Sequence, residues 1–511
     1  MKRGLFIALT AIALPLAGCM VGPNVREPHA NVRAQFAAAT QPATTQQATT
    51  QQAVQENIDL RRWWESLHDP ALNELIDQAL QSNLDVRLAN ARIREARAQL
   101  EFNRAGLFPT ADSSAQYTRS RFSHNVFAAA AQSTGGGAGG VGSTASTPFS
   151  LGESDLYRAG FDAGWEIDIF GGTRRAIEAA QYSLAAQVEA RRNALVTLLS
   201  EVAQNYVMLR GFQHELRVVR DNVAAQQATL KLQQIKQQAG LTNLLTISQA
   251  TSLVASTESQ MPTLETEIEQ TIQRLAVLLD RDPTAIRAQL ADDGKLPSGP
   301  ASVPPGLPSE LLRRRPDVRQ AERQFAASTA QIGVAMSDLF PKFKLTGSLG
   351  LESLQLKTFT NSSSIFYSFG PSVQWRIFDA GQIWANVHVQ NALQEQALIQ
   401  YRQAVLQSMA DVETALTAYN REQARSASLR QAVEANRQSV NLAKQLNEAG
   451  VVDFLNVLTA QQSLYQSEDQ LAQSEQTVLT NLIALYKALG GGWETTERAA
   501  DAQPRETDDS N

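Results

Sequence analysis

Side chains that commonly carry out chemistry in proteins are few in this sequence and lie far apart. Its five histidines show no metal-ligand spacing, so we predict neither a metal site nor a cofactor; they are His29, His68, His124, His214 and His388. The glycines of 135–142 lie in a low-complexity stretch, not in a phosphate-binding loop that follows a strand. Arg313–Arg315 would suit an anion, but we interpret them as a solvated or ion-paired helix start. We therefore predict that the protein is not an enzyme.

The single cysteine, Cys19, has a different chemistry available, which is acylation of its thiol. It ends Leu16-Ala17-Gly18-Cys19, a sequence that looks like a bacterial lipobox. In that signal, small residues admit the lipoprotein signal peptidase and the thiol receives diacylglycerol. Two basic residues and the apolar stretch 4–16 precede it, and that stretch is too short to span a bilayer as a mature helix. We predict a signal peptide over 1–18 and lipidation of Cys19.

The residues after the cysteine predict where the anchored protein resides. Met20 stands where an aspartate would resemble an inner-membrane retention signal, which favours the outer membrane. The stretch 37–55 is rich in Ala, Thr and Gln, so we interpret 19–56 as a lipidated tether whose partner is outer-membrane lipid. The net charge is −6 and no basic patch with interleaved aromatic residues is present, which argues against nucleic acid as a partner.

Two long helical runs are the largest elements that the sequence predicts. Apolar residues recur every seven positions in 171–239 and again 210 residues later, where only Ser426 departs from the pattern. The positions in the first run are Val188, Leu195, Val202, Leu209, Leu216, Val223 and Leu230. About 70 residues at ~1.5 Å each make a rod on the order of 100 Å. A plain coiled coil would show the same periodicity.

The repeat extends beyond these helices, so the chain is a tandem duplication. Residues 83–109 align with 315–341, and Leu-Phe-Pro closes both segments. Each long helix reaches a matching Ala-Gly turn and then a returning helix, the first of which should be kinked by Pro262. The predicted divisions are a first repeat at 57–291 with an equatorial helix, two strands and a helical hairpin, a linker at 292–308, a second repeat at 309–493 and a disordered tail at 494–511.

Each Leu-Phe-Pro is followed by sequence of period two, which indicates strands with one apolar and one polar face. The clearest is 157–169, and 343–352 and 368–377 alternate in the same way. The stretch 111–123 alternates poorly and is inferred from its copy. Pro371 predicts a sheet edge or a strand start, because proline cannot donate a ladder hydrogen bond.

Strands of this kind are typical of a transmembrane barrel wall that separates lipid from water. A bilayer admits only helices or closed barrels, and the mature sequence has no apolar run long enough for a spanning helix. Four strands are too few to close a barrel. Two chains would supply about eight, whose bore side chains would fill, and three would supply about twelve, enough for an aqueous lumen. The strand count favours a trimer, with a soluble β-sandwich as the alternative.

Together these motifs resemble the TolC-like outer-membrane efflux proteins, in particular their lipoprotein (NodT-type) branch. The resemblance covers about residues 19–493, and its specific pieces stand in order: the lipobox, Val21-Gly22-Pro23, the arginine motif at 312–318 and the glycine-tryptophan motif at 485–493. It implies an α+β membrane protein, a homotrimer whose 12-stranded β-barrel is continued by a 12-helix periplasmic α-barrel. It also implies a periplasmic adaptor and an inner-membrane pump of RND or ABC type as partners.

The resemblance further implies a gate at the helix tips, with an apolar ring and an acidic ring contributed by the second half. Leu455 falls at the apolar position, and Thr459 stands where several relatives carry aspartate, so Asp453 is the candidate for supplying the charge. Asp453 is alternatively a simple helix N-cap. Gly240 and Gly450 resemble adaptor-docking turns, although a capped hairpin would look the same.

The predicted function is passive export of small molecules, such as drugs and toxic compounds, through the outer-membrane channel of a tripartite efflux system. Two alternatives keep the duct but change its cargo: type I protein secretion and metal-cation efflux. A third alternative belongs to another class, a lipid-anchored periplasmic coiled-coil scaffold without a pore.

Overall fold

The structure is a computed structural model that describes residues 20–26, 28, 59–121, 153–291, 294–300 and 308–494. Within these ranges a 3-10 helix at Leu60–Leu67 precedes four strands and ten α-helices. They are α1 Pro70–Ser82, α2 Leu84–Ala105, β1 Thr110–Arg121, β2 Glu153–Ile167, α3 Gly172–Gln238, α4 Leu244–Glu258, α5 Met261–Leu279, α6 Pro283–Gln289, α7 Pro308–Arg314, α8 Pro316–Ser337, β3 Lys342–Ser353, β4 Ile365–Gln374, α9 Gln382–Glu448 and α10 Phe454–Ala488. The chain divides into two compact units, one that contains the sheet and one that contains most of the helices.

The first unit is built on a four-stranded antiparallel sheet with the order β1-β2-β3-β4. The three strands predicted from period two are therefore present, and so is the strand at 111–123 inferred from its copy. Pro371 lies on β4, opposite Leu345 of β3. Strand β4 is an outer strand of the described sheet, as the missing N–H of proline predicts.

Two of the predicted strand ends are wrong. Strand β2 ends at Ile167, so Ile169 lies outside it, because the Asp168 carboxylate turns back to accept a hydrogen bond from the Arg174 backbone N–H at 2.9 Å. Strand β4 ends at Gln374, which leaves Trp375 and Ile377 beyond the ladder. Alternation of side chains continued past both ends, but local hydrogen bonding decided where each strand stopped.

The duplication is confirmed by contacts that recur in both halves of this unit. The Trp165 indole N–H donates to the Leu107 carbonyl at 2.9 Å, and the Trp375 indole N–H donates to the Leu339 carbonyl at 3.1 Å. Both acceptors are the leucines of the two Leu-Phe-Pro segments. Each tryptophan thus ties the segment that enters one strand to the end of the next strand.

The long helices α3 and α9 are each 67 residues, and their first and last residues are separated by the predicted offset of 210. The heptad residues Leu195, Val202 and Leu209 are fully buried. The first returning segment is interrupted between α4 and α5, where Ser259 and Gln260 keep helical backbone angles and Pro262 occupies the first turn of α5. The interruption lies at the position where Pro262 predicts a kink.

The second unit has one large apolar core. Trp63, in the 3-10 helix, is 1% exposed, and its ring stacks on Tyr486 of α10 with centroids 5.0 Å apart. The buried residues Leu72, Leu75 and Ile76 supply the inner face of α1. None of the helices in the described ranges combines the length and hydrophobicity that crossing a bilayer would require.

Candidate functional site

The tips of the two helical hairpins have the same backbone geometry. Gly240 and Gly450 have φ angles of +73° and +72°, in the left-handed region that favours glycine. In both turns the next residue's N–H reaches back to a carbonyl five residues earlier: Leu241 to Lys236 and Val451 to Leu446, each at 2.8 Å. These are Schellman caps, in which backbone N–H groups just beyond the helix satisfy its last carbonyl groups.

Alanine at Gly240 or Gly450 is expected to destabilise its tip by about 1 kcal/mol, because an added Cβ would meet no neighbour within 4 Å and only the backbone strain remains. Hydrogen exchange of the tip peptides should quicken roughly fivefold, with little change in the global melting temperature. Gly370→Ala is the matched control, since its Cβ also meets nothing and its φ is not positive. Equal exchange in all three variants would contradict this account.

The structure brings both hairpin tips together. Phe454, Val457 and Leu458 of α10 form a buried cluster with Ala250 of α4. Residues from α3 and α9 pack against the same cluster. The Gln461 amide also donates to the Thr229 hydroxyl at 3.1 Å, which links α10 to α3.

Two of the predicted gate residues, Leu455 and Thr459, lie on the face of α10 that this cluster leaves exposed, and the third, Asp453, directly precedes the helix. Leu455 is 52% exposed, and Asp453 and Thr459 are exposed as well. The Thr459 hydroxyl donates to the Leu455 carbonyl at 2.9 Å, so these two residues stand one turn apart. Exposed leucines also flank the first tip, where Leu241 is 75% and Leu244 is 70% exposed.

The N-cap positions of the two returning helices differ in how their side chains are used. Asn243 caps α4, because its side-chain oxygen accepts from the Thr246 N–H at 3.0 Å. Asp453 occupies the matching position before α10 but makes no side-chain cap hydrogen bond. The simple N-cap interpretation therefore accounts for the position of Asp453 and leaves its carboxylate unused.

The polar face of the sheet carries charges in register. Lys344 of β3 pairs with Glu166 of β2 at 3.6 Å, and Arg158 of β2 pairs with Glu352 of β3 at 3.7 Å. Asp112 and Asp162 stand directly opposite each other on β1 and β2. Like charges in directly opposed positions destabilise a strand pair unless water screens them, so this face is suited to contact with water.

The opposite face of the sheet is apolar and exposed. The fractions are 66% for Phe161, 55% for Leu349, 73% for Tyr367, 82% for Phe369 and 61% for Val373. An exposed apolar surface of this extent is unusual for a chain surrounded by water on all sides and indicates an apolar environment.

The helical unit contains buried charged residues that are paired. Arg315 is buried, and its guanidinium reaches Asp317 at 2.6 Å and Asp411 at 3.0 Å, so the interpretation of Arg313–Arg315 as an ion-paired helix start is correct for this residue. Glu189 accepts from Arg192 at 2.6 Å and lies 2.7 Å from Arg319. Desolvation nevertheless raises the pKa of Glu189, outweighing the neighbouring arginines.

Glu215 of α3 is a second buried carboxylate, and this residue is 5% exposed. Burial raises its pKa to about 7, and the charge of Asp469 on α10 adds to the increase. Burial also raises the pKa of Asp469. Tyr465, one turn earlier on α10, has its pKa raised to about 12 by burial and then by these two carboxylates. Sequence reasoning missed this cluster, although Glu215 directly precedes the heptad residue Leu216.

Cys19, the predicted lipidation site, lies outside the described residues. Its neighbours Met20–Asn24 are described and contact Arg175, a buried residue that sequence reasoning also missed. The described ranges contain no group of three or more His, Cys, Asp or Glu side chains arranged to hold a metal ion.

Amphipathic strands, each pair of which leads into a hairpin of very long helices, define a membrane channel class of protein. The comparisons agree with this class. The chain matches the family model described as Outer membrane efflux protein over residues 75–281 and 307–491, which is well over half of its length. The chain belongs to this family.

Known relatives support the assignment. The chain is 32% identical to the pyoverdine export outer membrane protein OpmQ of Pseudomonas aeruginosa over 440 residues, which are 86% of this chain and 88% of that protein. It is 30% identical to the solvent efflux pump outer membrane protein SrpC of Pseudomonas putida, covering 95% and 97%. Among solved structures it is similar to the outer-membrane channel OprN, with a TM-score of 0.81, 32% identity and coverage of 93% and 100%.

Three predictions from the sequence are thereby confirmed: the family, the outer-membrane location and the function in efflux. The predicted TolC-like fold is also confirmed at the level of the single chain.

Proposed function

We propose that three copies of this chain form a passive duct through the outer membrane, a 12-stranded β-barrel continued by 12 periplasmic helices. The observation that carries the proposal is the sheet of four strands with one exposed apolar face and one charged face. Within the described residues β1 pairs only with β2, and β4 only with β3. Unpaired edges are unfavourable in lipid, so copies must pair β1 of one chain with β4 of the next.

Cysteine cross-linking tests this assembly. Ser114→Cys on β1 is combined with a cysteine at Phe366, Ser368 or Gly370 on β4, which scans the register between copies. Within one chain β1 and β4 are separated by three strand spacings, roughly 14 Å, beyond the reach of a disulfide. We expect covalent dimers and trimers from one combination, and monomers from each single variant. Monomers from every combination would contradict the closed barrel.

The tips of the two helical hairpins are the basis for the partner proteins that we propose. We assign the turns at Gly240 and Gly450 to docking of a periplasmic adaptor, which would join the duct to an inner-membrane pump of RND or ABC type. Exposed leucines beside the first turn support this assignment, since an apolar surface on a rigid capped turn suits a protein partner. We keep the predicted divisions at 57–291 and 309–493 as the two repeats that build the duct, with 292–308 as linker.

Leu455, Asp453 and Thr459 are assigned to the periplasmic gate. Leu455→Ser should raise single-channel conductance in planar bilayers on the order of severalfold, because an apolar constriction opposes water and ions. Asp453→Asn should lower the preference for potassium over chloride, because three copies of its carboxylate would attract cations. Leu241→Ser, on the first tip, is the matched control and should leave conductance unchanged. Identical conductance in the Leu455 and Leu241 variants would remove the gate from this position.

Small organic molecules are the cargo we propose, in keeping with relatives named for pyoverdine, solvent and antibiotic efflux. Another relative is named as a cation efflux system protein, so metal cations are the second candidate. Protein export would be the third. A deletion strain that becomes sensitive to solvents and antibiotics but not to toxic metal cations would favour the first. A trimer that never conducts would instead favour the scaffold without a pore.

Cys19 is the proposed lipidation site. Incorporation of radiolabelled palmitate into the wild-type protein, and its loss in Cys19→Ser, tests this directly. The serine variant should still fold, because serine differs from cysteine by one side-chain atom, but should be retained less firmly in the membrane. Absence of label in the wild type would disprove the lipobox interpretation.

A further inference from the structure

The segment Met20–Asn24 is held by a single buried arginine. Arg175, in the first turn of α3, is 1% exposed. Its Nε donates to the Val21 carbonyl at 3.0 Å, and its Nη2 donates to the Gly22 carbonyl at 3.2 Å and to the Asn24 side-chain oxygen at 2.9 Å. Its Nη1 donates to Glu178 at 2.7 Å, which orients the guanidinium and compensates its charge.

Glycines allow the segment to approach closely. A Cβ on Gly22, whose φ is +94°, would lie 2.5 Å from the Gly333 Cα. A Cβ on Gly171, whose φ is +80°, would lie 2.8 Å from the Met20 side chain. The Val21 N–H also donates to the Phe170 carbonyl at 3.1 Å. The segment is therefore recognised mainly through its backbone, and side chains of ordinary size would exclude it.

The contacts of Met20–Asn24 lie close to the end of strand β2, which bears on where a lipid on residue 19 would sit. Phe170 follows the last residue of β2, Ile167, by only three positions. One residue spans at most about 3.6 Å, so residue 19 must stay within roughly 4 Å of Met20. A lipid on a free tether would retain the protein near a membrane at any depth, whereas a lipid joined directly to this contact would be restricted to the end of the sheet.

We propose that Gly171, Arg175 and Gly333 form an N-terminal seat that fixes the depth at which residue 19 meets the membrane. Arg175 is the positioning residue of this seat, and the ligand it receives is the chain's own segment Met20–Asn24. The role in anchoring rests on the proposed lipidation of Cys19, while the seat itself does not.

Two variants empty the seat by different means. Arg175→Met removes every donor and keeps the aliphatic stem, and Gly22→Ala obstructs the approach without touching the arginine. Arg104→Met is the matched control, since Arg104 lies in the same unit and pairs with Glu101 on the surface. The full-length protein in detergent is measured by hydrogen exchange of peptide 20–26 and by the mobility of a spin label at Arg26→Cys. Intact mass reports acylation in the same samples.

We expect exchange at least tenfold faster and a mobile label in Arg175→Met and Gly22→Ala, with no change in Arg104→Met and acylation equal in all. Slow exchange and an immobile label in both seat variants would overturn the proposal. An unacylated mass in the wild type would overturn the lipidation of Cys19, and the exchange result would then still decide whether the seat exists. In vesicles, collision of the label with a water-soluble relaxant should rise at least twofold when the seat is emptied; unchanged collision would reject the fixed depth.

Discussion

Replacing Trp63 with alanine is expected to cost about 3–5 kcal/mol of stability, because a fully buried indole would leave a cavity in the core of the helical unit. Trp63 stacks on Tyr486 and meets Trp64 edge to face at 5.9 Å, and such aromatic pairs add about 0.5–1.5 kcal/mol beyond their buried area. The pair joins the first helical turn of the described first repeat to the last helix of the second. Its loss should therefore affect both repeats together.

The effect can be measured by thermal unfolding of purified protein and by immunoblot of outer-membrane fractions. Trp63→Phe should lose much less, because it keeps a ring against Tyr486. Arg62→Ala is the control on the adjacent residue, whose side chain is 53% exposed and pairs with Glu65, and it should change stability by less than about 0.5 kcal/mol. If Trp63→Ala and Arg62→Ala melt at the same temperature, packing at this position does not hold the repeats together.

The second large effect is a dependence of stability on pH that originates at Glu215. Its pKa in the folded protein, about 7, lies above the ordinary value of 4.5. Between these values the folded state binds more protons than the unfolded state, so stability is full below about pH 4.5 and falls as pH rises through about 7. At 1.36 kcal/mol per pH unit, the loss approaches about 3 kcal/mol per chain.

Glu215→Gln should remove most of this dependence, because the amide carries no charge at any pH. We expect the variant and the wild type to melt alike near pH 4.5, and the variant to melt several degrees higher at pH 8. Asp469→Asn should give a smaller gain, and the two gains should not add, because the charge of Asp469 is part of the effect on Glu215. Glu258→Gln, at an exposed position on α4, is the control. A constant difference across the pH range would show that desolvation of Glu215 is not its origin.

The pH-dependent stability at Glu215 is relevant to the proposed transport function. A cluster of Glu215 on α3 with Asp469 and Tyr465 on α10 has charges that depend on pH. The proposed gate residue Leu455 lies in the first turn of the same α10, ten residues before Tyr465. A duct that works between two compartments tolerates such a cluster only if the helices remain packed over the working range of pH. The variants above test that packing without altering the proposed gate.

The periodic features of this protein were determined by its sequence. Periods of two and seven are direct consequences of strand and helix geometry, so three of the strands and the two 67-residue helices could be predicted from them. The duplication supplied the remaining strand, and the offset of 210 placed the glycine turns. Element ends were predicted less well. The end of β2 depends on hydrogen bonds from Arg174 to Asp168, and no pattern over several residues encodes such bonds.

Burial of charged residues was decided only by the tertiary structure. Arg175 and Glu215 are charged residues within helical sequence, and nothing in the neighbouring sequence distinguishes them from the many arginines and glutamates that stay exposed. Arg175 is buried where Val21–Asn24, distant in sequence, pack against it. Glu215 is 5% exposed, and the charge of Asp469 acts on it from another helix. Desolvation depends on what surrounds a side chain in three dimensions, and one-dimensional periodicity carries no information about it.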